Sequence, residues 1–289
     1  MIIKEIRDAL QLSQNQFANE IGVSFATVNR WENGKTEPGQ PAQNRIFQLT
    51  VQNDIPAAQI IYDKIRRISE AISDTNQKQL LYHGSKSGIK GKITPSSRSR
   101  CDFGKGFYMG TIPEQPLTLT CDFQNSKFYI LSVDFSKLKQ VMIPPDINWA
   151  LIVALNRGKM ETIKHSQFYK RIADLTESCD VISGSIANDR MFYVLDQFFQ
   201  GNITDVALIN SLSALNLGQQ FVAVTQKACD CIQIEKEIEL SYLEKLILKS
   251  EAEQNRQTGI SLANKICRAH RREGLYFDEI IANQTEAPR

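Results

Sequence analysis

The sequence predicts an all-α N-terminal domain of five helices, followed by an α+β domain and a helical C-terminal tail. In the first part, apolar residues recur at the three- and four-residue spacing of amphipathic helices. From Gln79 onward, short runs rich in β-branched and aromatic residues alternate with helical stretches. A chain of 289 residues is also longer than one usual domain, which favours a division into two.

The composition restricts the classes of function. A formal net charge of +2 gives no support for a chain that coats polyanions or membrane surfaces, so any nucleic-acid site has to be local. The six cysteines form no C-x-x-C pair and only three histidines accompany them, which argues against a metal site. The N-terminus does not resemble a signal peptide, and the longest apolar run, residues 149–155, is too short to cross a bilayer. We therefore expect a cytoplasmic protein with reduced thiols and no membrane partner.

The N-terminal domain is predicted to begin with three short helices. Ser13 and Gln16, three residues apart, form a capping box that starts the second helix. Gly22 ends that helix in a left-handed conformation, and Ser24 caps the third helix, FATVNRWENG. A small fourth helix and a linking helix complete the five.

The string LSQNQFANEIGVSFATVNRWENGKTEPG closely resembles the Cro/phage-repressor (XRE-type) family of helix-turn-helix proteins. Under this resemblance the third helix enters the major groove of DNA. Its base-edge contacts would come from Phe25, Ala26, Thr27 and Arg30. The phosphate contacts would come from Gln14, Asn33 and Lys35.

Two uses of this module stay open. Residues 1–55 carry no excess of basic side chains, so a module for protein contact or dimerisation is an alternative to DNA binding. A single weakly charged module binds DNA poorly, and a homodimer on a two-fold operator is therefore expected if DNA is the target.

We place the helix-turn-helix domain at residues 1–55, a linking helix at 56–78, the α+β domain at 79–235 and a helical extension at 236–289. Strands are predicted in QLLYHGS, KFYILSVDF, CDVISGSI and QFVAVT. Helices are predicted in INWALIVALNRG, RMFYVLDQFFQG and TDVALINSLSALN. From Ile234 onward the apolar spacing in EKEIELSYLEKLILKSEAEQNRQ predicts a long helix.

Three short motifs stand out in the α+β domain, which has no Rossmann fingerprint or glycine-rich phosphate loop. They are L-Y-H-G-S with His83, D-F-G-K-G-F-Y ending at Tyr108, and G-Q-Q-F-V-A-V with Gln220. Each is usually structural when it occurs alone. Their order and local sequence, however, resemble the diphtheria-toxin-like branch of ADP-ribosyltransferases, which includes the poly(ADP-ribose) polymerases. The resemblance covers residues 79–235 and is closest to an uncharacterised bacterial branch.

The resemblance implies a split fold of two β-sheets, NAD as the co-substrate, no metal, and a His, Tyr, Glu triad. His83 would hydrogen-bond the ribose, and the Gly84 backbone would hold the nicotinamide carboxamide with Ser85 beside it. Tyr108 would stack on the nicotinamide ring, and Gln220 takes the position of the triad's Glu. Because Gln is neutral and cannot act as a general base, the expected activity is mono-ADP-ribosylation rather than chain elongation.

Two further groups of residues are candidates for binding. A basic segment between the first two motifs suits a pyrophosphate. Its cofactor-binding candidates are Arg98, Arg100, Lys105 and Gly106. In the string ISGSIANDR, Asp189 and Arg190 are substrate-site candidates, although Asn188 or Asp189 could equally cap the following helix.

Two classes of function follow. The first is a toxin or phage-defence effector that transfers ADP-ribose to a protein or nucleic-acid acceptor, with the helix-turn-helix giving autoregulation or docking to an antitoxin or another partner. The second is a non-catalytic, NAD- or ADP-ribose-sensing transcriptional repressor, which the neutral Gln220 keeps open. An RNA 2′-phosphate-processing relative is less favoured because of Tyr108.

Overall fold

The computed structural model describes residues 2–73, 78–98, 100–186, 189–215 and 218–285; the side chains at positions 189, 190, 192, 215, 284 and 285 are outside this description. Five helices precede the first strand. They are α1 (Ile3–Ala9), α2 (Gln14–Ile21), α3 (Phe25–Glu32), α4 (Gln40–Gln52) and α5 (Ala57–Ser73). The helical N-terminal part is therefore confirmed.

Helices α2 and α3 begin and end through local hydrogen bonds. Ser13 Oγ accepts a hydrogen bond from the Gln16 backbone, and the Gln16 side chain accepts one from the Ser13 backbone. Gly22, with φ of +81°, ends α2 in a conformation that favours glycine. Ser24 then caps α3 by accepting a hydrogen bond from the Thr27 backbone. The turn between the two helices thus follows from a few residues close in sequence.

In the described residues that follow, seven strands form one mixed sheet. The strands are β1 (Gln79–Ser85), β2 (Phe107–Gly110), β3 (Lys127–Val133), β4 (Gln140–Met142), β5 (Val181–Ser185), β6 (Gln219–Ala223) and β7 (Ile232–Ile238). Their order across the sheet is β4-β5-β6-β2-β1-β3-β7. The β4–β5 pair is parallel and the other neighbours are antiparallel.

Helices surround this sheet and confirm the α+β class with a helical C-terminal part. They are α6 (Glu114–Thr120), α7 (Ile147–Asn156), α8 (Gln167–Asp174), α9 (Asp189–Phe199), α10 (Asp205–Leu215), α11 (Gln226–Cys229), α12 (Tyr242–Ala269) and α13 (Phe277–Thr285), with a 3-10 turn at Glu161–Ile163. Of the helices described, none combines the length and the apolar character that crossing a membrane requires.

The sheet is not divided into two sheets, as the resemblance implied. Strands β1 and β3 pair over all seven residues of β1. Strands β1 and β2, in contrast, share only the pair between Tyr82 and Gly110. This one pair keeps the two halves in a single sheet, and the strands separate beyond it.

The prediction of a helix from Ile234 is wrong for its first residues, because residues 232–238 form the edge strand β7. Ile232 and Ile234 alternate with polar residues, and β7 pairs with β3 along its length. Ser132 Oγ donates a hydrogen bond to Glu235, which ties a polar side chain of β7 to the neighbouring strand. Cross-strand contacts therefore outweigh the helix propensity of this Glu- and Lys-rich segment. The helix begins only after Ser241, which caps it.

The helical N-terminal part and the sheet share one hydrophobic core. Helix α5 contributes Ile61 and Ile65, strand β1 contributes Tyr82, and α12 contributes Leu243 and Ile247. Other members are Ile6, Trp31, Ile46, Leu117, Phe128 and Ile130. The segment predicted as a linking helix is thus packed on both sides, and the helix-turn-helix is fixed to the sheet rather than tethered to it.

Buried polar contacts reinforce this junction. Gln43 Oε1 accepts a hydrogen bond from the Leu243 backbone at 2.6 Å. Glu244 is only 3% exposed, and its Oε1 lies 3.0 Å from Lys64 Nζ. Burial raises the pKa of Glu244, but Lys64 and the Ser241 backbone outweigh that effect and bring the pKa below its ordinary value. The buried Glu244 carboxylate therefore stays ionised and paired with Lys64.

The variant Lys64→Met should lower the free energy of unfolding by about 1–3 kcal/mol, because it leaves the Glu244 carboxylate buried without its cation. Its matched control is Lys249→Met, since Lys249 pairs with Asp122 at 2.8 Å but both side chains are exposed. The control should cost less than about 0.5 kcal/mol. Urea unfolding at neutral pH measures both values, and equal costs would contradict a buried role for Lys64.

Candidate functional site

A cleft of 260 Å³ lies between β1 and β2, where the two strands separate. His83 and Ser85 line it from β1, and Phe107 and Tyr108 line it from β2. The intervening loop adds Gly88, Ile89, Lys90, Lys92, Ile93, Thr94, Ser96, Ser97 and the predicted cofactor-binding residue Gly106. The structure therefore brings two of the three predicted catalytic residues together in one polar and partly aromatic cleft.

The His83 imidazole is held in one tautomer. Its Nδ1 lies 2.7 Å from the Tyr108 carbonyl oxygen, which can only accept a hydrogen bond, so Nδ1 carries the proton. The ring stacks on Phe107 with centroids 4.3 Å apart. Burial lowers the pKa of His83 to about 4, against the opposing effect of the Tyr108 carbonyl. At neutral pH Nε2 is therefore a hydrogen-bond acceptor.

The same hydrogen bond explains why β1 and β2 separate. In an antiparallel pair the Tyr108 carbonyl would accept a hydrogen bond from a backbone amide of β1. The His83 ring takes that acceptor instead. Behind the strand, a Cβ at Gly84 would overlap the Pro116 carbonyl oxygen of α6, so position 84 requires glycine. Gly84 thus lets α6 approach the back of the cleft.

Tyr108 is among the residues that line the cleft, and its hydroxyl is held by the preceding loop. The hydroxyl donates to the Gly104 carbonyl at 2.7 Å and accepts from the Phe103 backbone at 3.0 Å. Burial raises the pKa of this hydroxyl far above its ordinary value. Gly104 has φ of +73°, and a Cβ at Gly106 would overlap the Val222 side chain. The glycines of this motif therefore shape the loop that fixes the tyrosine ring, which packs against the neighbouring hydrophobic core.

Gln220 lies outside the residues that line the cleft. It is 7% exposed, and its Nε2 donates to Asp102 Oδ2 at 3.3 Å and to the Ser185 carbonyl at 3.0 Å. Because β2 pairs Tyr108 with Val222, and Gln220 is two residues from Val222, the side chains of Gln220 and Tyr108 project from the same face of the sheet. The third predicted catalytic residue thus occupies a buried cluster beside the cleft.

The basic segment divides into two groups. Lys90 and Lys92 line the cleft, and Lys92 Nζ lies 3.0 Å from Asp230 Oδ1. The cofactor-binding candidates Arg98, Arg100 and Lys105 are exposed and lie outside the lining of the cleft. The sequence could not separate these groups, because both lie in one irregular segment with the same type of charge.

The two substrate-site candidates are only partly covered by the described structure. Asp189 and Arg190 begin α9, but their side chains lie outside the described part, as does all of Asn188. Within that part, no group of three or more His, Cys, Asp or Glu side chains could hold a metal ion.

The outer surface of α3 carries the predicted base-contacting residues. Phe25 is 48% exposed, Ala26 and Arg30 are exposed, and Thr27 is partly buried. The Thr27 hydroxyl lies 2.9 Å from that of Ser24. A large apolar side chain and a cation are therefore presented side by side, as expected for a helix that contacts base edges.

The phosphate-contact candidates differ in their freedom. Asn33 and Lys35 are exposed, and the Asn33 side-chain amide donates to the Asn29 carbonyl at 2.8 Å. The Gln14 side chain, in contrast, donates to Glu32 at 2.6 Å and lies 3.5 Å from the Asn29 amide. Glu32 is also paired with Arg7 at 2.5 Å, inside the domain. Gln14 and Arg7 thus hold the helices together, which reduces the side chains left for phosphate.

His83 is expected to remain neutral, with its proton on Nδ1, until the pH falls to about 4. As the pH falls from 6.5 toward 4, the unfolded chain binds a proton that the native imidazole does not, so stability is lost across that window. The loss relative to His83→Asn, whose amide keeps the bond to the Tyr108 carbonyl, should reach about 3 kcal/mol. Imidazole ¹H–¹⁵N spectra and unfolding at several pH values measure both effects. A titration midpoint near 6.5 would contradict the neutral ring.

Comparisons with known proteins find two families along the chain. Residues 3–42 match a family described as "Helix-turn-helix". This match confirms the XRE-type helix-turn-helix and supports DNA binding. No curated protein and no solved structure matches the chain. Residues 79–234 match the family described as "Protein of unknown function (DUF3990)". Because this match spans more than half of the 289 residues, the chain belongs to the DUF3990 family.

Proposed function

We propose that the chain is an NAD-dependent mono-ADP-ribosyltransferase whose helix-turn-helix docks it to DNA. The observation that carries the proposal is the pairing of His83 and Tyr108 in one cleft. One residue offers a fixed acceptor nitrogen and the other an aromatic ring, which are the two groups needed to hold a ribose next to a flat heterocycle.

The cleft suits one half of a dinucleotide. Its 260 Å³ is just below the roughly 300–1,000 Å³ typical of sites that hold a whole ligand. In the proposed complex, a ribose hydroxyl donates to His83 Nε2 and the nicotinamide ring stacks on Tyr108. The cation of Lys90 and the hydroxyl of Thr94 line the same cleft and are available to the phosphates. The adenine half would lie outside this volume.

The proposed reaction breaks the bond between the nicotinamide nitrogen and ribose C1′. Nicotinamide leaves as a neutral molecule with the bonding electrons, and an acceptor nucleophile bonds to C1′ and loses its proton to solvent. The sugar passes through an oxocarbenium-like state that must be oriented and stabilised. Because the Gln220 amide cannot take a proton from an acceptor hydroxyl, a single transfer is favoured over chain growth.

A second candidate is a repressor that senses NAD or ADP-ribose without cleaving it. The observation in its favour is the core shared by the helix-turn-helix and the sheet. Helix α6 backs Gly84 at the cleft, and its Glu114 pairs with Arg66 of α5 at 2.8 Å. A ligand that shifts α6 would therefore act on the helix beneath the DNA-binding domain.

The test of the enzyme is the release of nicotinamide from adenine-labelled NAD by the full chain in the presence of cell lysate, with label followed into protein and nucleic-acid fractions. His83→Asn should lower release and transfer at least about 10-fold, because it keeps the Tyr108 hydrogen bond but removes the Nε2 acceptor. Label found in one fraction identifies the acceptor class.

Two variants serve as controls. His165→Asn makes the same change at an exposed histidine and should leave release unchanged. Tyr108→Phe keeps the ring and removes a hydroxyl that is engaged only with the loop, so it should retain activity within a few-fold. Binding of NAD with no release by the unaltered chain would favour the sensor, and unchanged release by His83→Asn would refute the site.

For the DNA-binding part, Arg30→Ala should weaken binding to a selected operator by about 1–3 kcal/mol, since Arg30 lies on the exposed face of α3. Arg45→Ala is the matched control, because Arg45 lies on α4 and pairs with Glu20 at 3.5 Å. Fluorescence anisotropy at several salt concentrations measures both. Equal losses, or no selected operator, would favour a docking module.

A further inference from the structure

A buried ionic cluster lies beside the cleft, centred on Asp102. This residue is 7% exposed, and its Oδ1 forms an ion pair with Arg157 Nη2 at 2.5 Å. The Asp102 carbonyl accepts a hydrogen bond from Asn156 Nδ2 at 3.1 Å. Asn156 and Arg157 stand at the end of α7, so this helix fixes the position of the carboxylate.

The cluster contacts both of the proposed site residues on its face of the sheet. Asp102 Oδ2 accepts the hydrogen bond from Gln220 Nε2. The next two residues, Phe103 and Gly104, hold the Tyr108 hydroxyl through their backbone. One three-residue segment thus sets the position of a side chain on β2 and of another on β6.

These contacts determine which way the Gln220 amide faces. The Asp102 carboxylate and the Ser185 carbonyl both accept hydrogen bonds, so the atom between them must be the amide nitrogen. The Ser185 carbonyl also accepts from Trp149 Nε1 at 3.1 Å, which fixes this acceptor in turn. The carbonyl oxygen of Gln220 is therefore the amide atom that remains for a ligand.

The same contacts account for a neutral residue at position 220. A carboxylate there would lie next to the carboxylate of Asp102, in a buried region whose ion pair already uses Arg157. Two carboxylates cannot both stay ionised at such a distance without a large cost. The cluster therefore accommodates one negative charge, and that charge is on Asp102.

We propose that Asp102 is a positioning residue that supplies the negative charge of the site in place of a carboxylate at 220 and orients the Gln220 amide. This inference rests on the proposed function. In it, Asp102, fixed by Arg157, holds the Gln220 amide nitrogen, so that the Gln220 carbonyl oxygen is the atom presented to the sugar.

The test is a cycle of three variants of the full chain: Asp102→Asn, Gln220→Glu and the double variant. Gln219→Glu is the matched control, because it makes the same change at the neighbouring exposed residue. Melting temperature is measured at pH 5 and pH 7. Nicotinamide release from NAD is measured as kcat and KM across the same range.

We expect Gln220→Glu to lower the melting temperature by several degrees at pH 7 and to recover at pH 5, where the introduced carboxyl takes up a proton. The double variant should regain the stability of the unaltered chain, since it holds one charge again. Asp102→Asn should lower kcat at least about 10-fold with KM changed less than about 3-fold. The double variant should recover activity and gain a new pH-dependent step, which a merely structural role would not produce.

Several results would overturn the inference. Gln220→Glu could prove as stable as Gln219→Glu, the two single changes could be additive, or Asp102→Asn could keep its full kcat. If the unaltered chain releases no nicotinamide, the proposed function fails. The melting temperatures alone then decide whether positions 102 and 220 share one charge.

Discussion

Strand β1 contributes one face to the core shared with the helix-turn-helix and the other face to the cleft. The arrangement of the whole chain depends on both contacts. Successive side chains of a strand project to opposite faces. Tyr82 enters the core shared with the helix-turn-helix, where its hydroxyl donates to Ser69 of α5 at 3.0 Å. The next residue, His83, faces the cleft, and its ring donates a hydrogen bond to the Tyr108 carbonyl. A shift of one residue in register would exchange these roles, so the pairing of β1 with β3 protects both the junction and the cleft.

The cleft exists because a side chain replaces a backbone partner. The His83 imidazole binds the Tyr108 carbonyl, which would otherwise accept a backbone hydrogen bond from β1. The Tyr82–Gly110 pair keeps the two strands in one sheet. On the other strand, the glycines before Tyr108 let the loop fold back onto the hydroxyl. The ring positions are thus set by hydrogen bonds to main-chain atoms, which are less free to move than side chains.

Local chemistry made part of this structure predictable. The Ser13 capping box and Gly22 define α2 through contacts within a few residues. The glycines before Tyr108 likewise indicate a loop there. Features that depend on distant partners were not predictable. Residues 232–238 became a strand only because β3 lies beside them, and the carboxylate of Asp102 meets Arg157 across 55 positions. The sequence likewise could not tell Lys90, which lines the cleft, from Arg98, which does not. The ADP-ribosyltransferase activity stays a proposal.

Helix α12 has a consequence for the order in which the protein matures on the ribosome. Its 28 residues span about 42 Å, and its first turns complete the core of the N-terminal helices. Leu243 meets Gln43 across 200 positions of the chain. At typical rates of synthesis these residues emerge roughly 10–40 s apart. During that interval the helix-turn-helix lacks the part of its hydrophobic core that α12 supplies. A nascent or shortened chain would therefore have a less stable DNA-binding domain and an exposed hydrophobic surface.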